Sequence, residues 1–136
     1  MSLPRIDQHL DKIYTLVSGA SVALGLEAVY DNADFSIEFE DTVAFCEIEE
    51  EDPEADEELE RDYTILIYVL ARIGDNYNAA RTTVVTIVQG IIDLMRDEDN
   101  HVQGFYAPKE ISAKYSIVQQ PDRYFAGEIR LTSRLG

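Results

Sequence analysis

Near the start of the chain, apolar residues recur at alternating spacings of four and three: Ile6, Leu10, Ile13, Val17, Ala20 and Leu24. That spacing is one face of an α-helix, and Pro4 stands where a helix start tolerates a missing N–H. Gly19 and Gly25 weaken the second half, so the helix is expected to fray or bend before Tyr30. Asp31-Asn32-Ala33-Asp34 reads as a turn. Phe35, Ile37 and Phe39 then alternate with polar residues as a short strand, and Thr42 to Ile48 reads as a second strand. The two form either a hairpin or one bent strand, because Glu40-Asp41 is a poor tight-turn pair.

Tyr63 to Ile73, YTILIYVLARI, is the strongest strand signal. Its apolar residues fall on both faces, which predicts a central position in a sheet with one face under helices. Gly74-Asp75-Asn76 ends it, and a second helix is expected over roughly Tyr77 to Arg96. Val84, Ile87, Val88, Ile91, Ile92 and Met95 make its apolar stripe, and Asn76 is placed to cap its N-terminus. Two more alternating stretches follow, Ile111 to Ile117 and Phe125 to Leu131, joined by a loop over Gln119 to Arg123. The order is α-β-β-β-α-β-β. The expected fold is α+β, a single domain over 1–136, with two helices packed on one face of a mostly antiparallel sheet.

Charge changes this picture at one place. The chain has 136 residues and a formal charge of −16. Residues 47–62 hold eleven acids against Arg61, which is −10 of that total. A block of like charges stays solvated and repels itself, so an acidic, mobile loop at about 49–61, unnecessary for folding, is expected between two strands. Scarce Lys, three against eight Arg, is also what salt adaptation would leave. No Lys/Arg cluster is present, which argues against sequence-specific nucleic-acid binding. No apolar run reaches the roughly 20 residues of a membrane helix, and the N-terminus lacks a secretion signal's layout. The expectation is a soluble cytoplasmic chain without a membrane partner.

Candidate chemistry is sparse. The sequence holds no glycine-rich phosphate loop, dinucleotide fingerprint or nucleophile elbow. His9 and His101 have no second His at a ligand spacing, and the acidic block has no glycine of the kind a calcium loop needs. Cys46, the one thiol, lies in an apolar strand beside acids and reads as a small core residue. No catalytic residue, metal ligand or cofactor is therefore assigned. Tyr and Arg are favoured at protein interfaces, so Tyr77 and Arg81 at the start of the second helix are candidate contacts. Arg72, at the strand-to-helix junction, is expected to share their surface, with Glu57 and Glu58 of the acidic loop as the counter-charge on a neighbour.

The whole pattern resembles a known family. A leading helix precedes a hairpin with a charged loop, YTILIYVLARIGDNYNAAR runs directly into TTVVTIVQGIIDLMRD, and FAGEIRLTSRL closes the chain. This resembles the tail-terminator and neck (head–tail joining) proteins of long-tailed phages, of the Mu-like prophage type, over residues 5–28, 42–48 and 62–134. The acidic insertion is longer than that family's pattern. The resemblance implies a non-enzymatic assembly protein that caps the tail tube as a ring, a hexamer when assembled, and joins it to the head connector. It implies self-association and tube and connector proteins as partners, in the cytoplasm during assembly and in the virion afterwards. Two other classes remain open on the residues alone: a small acidic adaptor for a basic protein partner, and a carboxylate-based small hydrolase.

Overall fold

The computed structural model describes residues 5–32, 42–51, 61–97, 105–119 and 123–135. Helix α1 spans Arg5–Gly19 and a single turn, α2, spans Ser21–Leu24. Strands β1 (Ala28–Tyr30), β2 (Thr42–Glu51) and β3 (Arg61–Arg72) follow, then helix α3 (Tyr77–Arg96) and strands β4 (Phe105–Val118) and β5 (Tyr124–Leu135). The fold is α+β, with a five-stranded mixed sheet of order β1-β2-β3-β5-β4 and the helices packed on it. Every pairing is antiparallel except β1 with β2.

The helix breaks after Gly19 and ends at Leu24, before Tyr30, as its glycines predict. Gly25 adopts the left-handed conformation, φ 84°, and its N–H reaches the Ser21 and Val22 carbonyls. The next N–H, of Leu26, bonds Ser21 O at 2.9 Å, so the Ser21 and Val22 carbonyls are satisfied and the chain turns away. Ala28–Tyr30 then extends and pairs with Val43–Phe45. Val29 and Tyr30, one β-branched and one aromatic, suit a strand. The strand expected over Phe35 to Phe39 lies outside the described residues.

The acidic block also begins and ends inside the sheet. Glu50 and Glu51 pair with Thr64 and Tyr63, and Arg61 opens β3 opposite Leu135. The loop expected over 49–61 is therefore shorter, because the β2–β3 ladder runs on into the charged residues. Positions 52–60 lie outside the described residues, as do the expected mobility and dispensability of that stretch.

The core lies between the helices and one face of the sheet. Ile13 and Val17 of α1 and the α3 stripe from Ala80 to Met95 cover Ala44, Cys46, Ile65, Ile67, Val69, Phe125, Ile129 and Leu131. Strand β3 is buried on its other face as well. Leu70 packs there with Val43, Phe45, Tyr124 and Ala126, and Tyr30 stacks on Phe45 at 5.2 Å between ring centroids. Asn76 caps α3 as its sequence predicts, its side chain accepting from the Ala79 N–H at 3.1 Å.

Gly127 sets the height of α3 above the sheet. A Cβ there would meet Val88 Cγ2 at 2.7 Å and Val84 Cγ1 at 3.0 Å. Both are β-branched helix residues with stiff χ1, so neither can step aside cheaply. Gly90 is a useful contrast, since a Cβ there would meet only the methyl end of Leu24, at 2.7 Å.

Three outcomes follow from this packing. Ile67→Ala and Ile91→Ala each empty a fully buried site and should lower unfolding free energy by about 2–5 kcal/mol in urea titrations. Gly127→Ala should cost about 1–3 kcal/mol. Gly90→Ala should stay within about 1 kcal/mol of the parent, because helix propensity offsets the shift of Leu24. Cys46 gives the third. Burial, with the Asp31 charge second, pushes its thiol up from 9.0 to about 12. The unfolded chain then loses this proton first as pH rises, so stability should fall from about pH 9 toward pH 12. The same pH series for Cys46→Ala should lack that part of the slope.

Candidate functional surface

Helix α3 stands over β3 and β5 and leaves the edge strand β4 largely uncovered. Alternation along β4 aims Ile111, Ala113, Tyr115 and Ile117 at the helix side, where they pair with Leu131, Ile129, Gly127 and Phe125. Only Ile111 is half-buried, and the other three are exposed. An amphipathic strand has here an apolar face that the fold does not cover.

Between the flank of α3 and this strand runs an open groove of about 420 Å³. Arg81, Thr82, Val85 and Thr86 line it from the helix, and Tyr115 and Phe125 from the sheet. The aromatic rings are ordered about Phe125. Tyr115 stacks on it at 5.9 Å between centroids, and Tyr77 meets it edge-on at 5.7 Å. Tyr115 also lies beside the bare Cα of Gly127, where an added Cβ would sit 3.3 Å from its ring. The missing side chain thus makes room both for α3 and for the ring.

Two of the residues singled out from sequence meet at this groove. Tyr77 and Arg81 are one helical turn apart on α3, both exposed, and Arg81 lines the groove wall. Arg72 is placed differently. It pairs in register with Tyr124, whose side chain packs on the sheet face away from α3, so alternation puts position 72 on that far face. Glu57 and Glu58 lie outside the described residues. The sequence reading did not single out Tyr115 and Phe125 as part of this surface. Their alternation marked them as sheet residues, and only the position of α3 shows which of the two is covered.

The groove offers an apolar floor, hydroxyls at Thr82 and Thr86, and one cation, Arg81. Aromatic rings and an arginine are residue types favoured where proteins touch one another. Among the described residues no group of three or more His, Cys, Asp or Glu side chains is placed to hold a metal ion. Cys46 is buried and its thiol is held protonated, so it is no nucleophile. No helix among the described residues is long and apolar enough to cross a membrane. No protein-family model matches the chain, and no curated protein matches it in sequence.

Proposed function

We propose that this chain is a non-enzymatic assembly protein of a long-tailed phage or prophage, a tail terminator or neck protein that caps the tail tube as a ring and joins it to the head connector. One observation carries the reading: an uncovered aromatic groove, with Tyr77 and Arg81 on its α3 side, on a chain whose net charge is −16. The α-β-β-β-α-β-β order supports it further.

A heterologous contact closes into a ring when its rotation closes. The groove supplies one half of such a contact. Its aromatic floor gives apolar area, and the Arg81 guanidinium gives an oriented, bidentate partner for a carboxylate. The acidic segment of the neighbouring subunit, with Glu57 and Glu58, supplies the other half. Repulsion between strongly acidic subunits opposes closure of the ring contact in solution until a tube end gathers them. Arg72, on the far face, then contributes to a different contact from Arg81.

Mixing the protein with purified tail tubes from the same source and imaging the tube ends tests this directly. Rings should appear at one end. Arg81→Glu should reduce their occupancy on the order of tenfold, and raised salt should weaken them too. Bare tube ends, together with turnover of a small substrate by the same preparation, would overturn the reading.

A further inference from the structure

Strand β4 closes one side of the sheet, and its outer edge has no neighbouring strand among the described residues. The first part of that edge is irregular. Register shifts fall between Phe105 and Pro108 and again between Pro108 and Glu110, and proline has no N–H to donate. Irregular edges and prolines are devices that block strand addition. From Glu110 to Val118 the pairing with β5 is regular. Here Tyr115 is 39% exposed, Ile117 40% and Val118 38%. This half of the edge has no such device.

Its charge pattern is self-complementary. Residues 110–118 carry one acid, Glu110, and one base, Lys114, which also meets Glu128 of β5 at 3.0 Å and stays largely in solvent, in a chain of net charge −16. They are four residues apart and so on one face of the strand. An antiparallel copy brings each toward the other's opposite.

We infer that two copies of this chain pair through β4, antiparallel, about a two-fold axis at Ala113, joining their sheets into one. This contact does not depend on the tail-assembly reading. Among the two-fold registers that keep both helix layers on one side, the chemistry selects this one. An axis at Lys114 sets two ammonium groups opposite each other, which destabilises the pair. An axis at Tyr115 sets Ile111 opposite Gln119 and leaves Glu110 outside the paired stretch. An axis at Ser112 sets Glu110 opposite Lys114 but leaves only residues 110–114 paired outside the irregular part at Pro108, against 110–116 for an axis at Ala113. With the axis at Ala113, Ile111 of each copy lies opposite Tyr115 of the other, a β-branched residue against an aromatic one. Ser112 then lies opposite Lys114, and each Lys114 lies diagonal both to Glu110 and to Lys114 of the other copy, so two attractions stand against one repulsion. Small Ala113 side chains meet at the axis.

Sedimentation equilibrium on the full chain, at several protein and salt concentrations, reads the association. The wild type should reach dimer and no further, and more tightly as salt screens the −16 charge of each copy. Position 112 tests the register, because Ser112 is exposed and its replacement spares the core. Ser112→Lys places like charges opposite each other twice per dimer and should weaken it on the order of tenfold, whereas Ser112→Glu should tighten it several-fold. Net charge alone predicts the reverse order, since the lysine variant is the less acidic chain. Melting curves matching the wild type confirm that both variants fold. A wild type that stays monomeric to its solubility limit overturns the inference, and so does the reverse order of the two variants. Because only the isolated protein is used, either result leaves the test with tail tubes untouched.

Discussion

The close approach of α3 to the sheet over Gly127 is the constraint from which the rest of the architecture follows. Val84 and Val88 come down onto β5 at a position where a single Cβ would collide with both. That contact fixes α3 over β3 and β5 and lets Ile67, Ile91, Ile129 and Leu131 close without solvent. It also determines what stays outside. A helix seated there cannot reach across β4, so the apolar side of the edge strand faces an open groove. The same missing side chain gives Tyr115 room to lie against the strand and stack on Phe125. One small residue thus links the packing of the core to the shape of the outer surface.

Charge is arranged around this frame without entering it. The buried polar residues among those described are two threonines, Thr42 and Thr64. Thr64 lies 3.3 Å from the Thr132 hydroxyl across the β3–β5 pair, so its burial is compensated. The acidic run takes in the end of β2 and the start of β3, beside the apolar stretches Val43–Cys46 and Ile65–Ile67. Cys46 shows how strict the separation is, since its thiol is driven toward the neutral form by burial first and by Asp31 second. No charged side chain among the described residues is buried, and salt keeps the repulsion between solvated charges modest.

The surface features share a direction. Tyr77, Arg81, Tyr115 and Phe125 lie along one flank of α3, and the regular half of β4 runs beside them. Aromatic rings, a guanidinium and an open strand edge are the parts from which protein contacts are built, with rings giving area and backbone groups giving direction. The proposed ring contact and the β4 pairing use neighbouring parts of this flank: the first the helix wall, the second the strand's outer edge.

The sequence by itself determined most of the architecture. The helical stripe from Val84 to Met95 and the two-faced apolar run of β3 could each fill only one role. Asn76 capped α3 from its expected place, and all the core positions named by periodicity on α3 are buried. Local chemistry sufficed there because burial and capping depend on residues near in sequence. The sequence was less informative where a distant partner decided. The helical spacing ends at Leu24 and nothing local assigns Ala28–Tyr30, which became a strand because β2 offered a parallel partner. The alternation at Ala113, Tyr115 and Ile117 is that of a half-buried strand, yet these residues are exposed, because strand order placed β4 at the edge and Gly127 placed α3 elsewhere. Likewise Tyr77 and Arg81 came together through helical spacing alone, whereas the far-face position of Arg72 depends on its pairing with Tyr124. Periodicity specifies which side of an element is apolar. Which element covers that side is decided only when the strands take their order and the helix finds the one place where the sheet is bare enough to receive it.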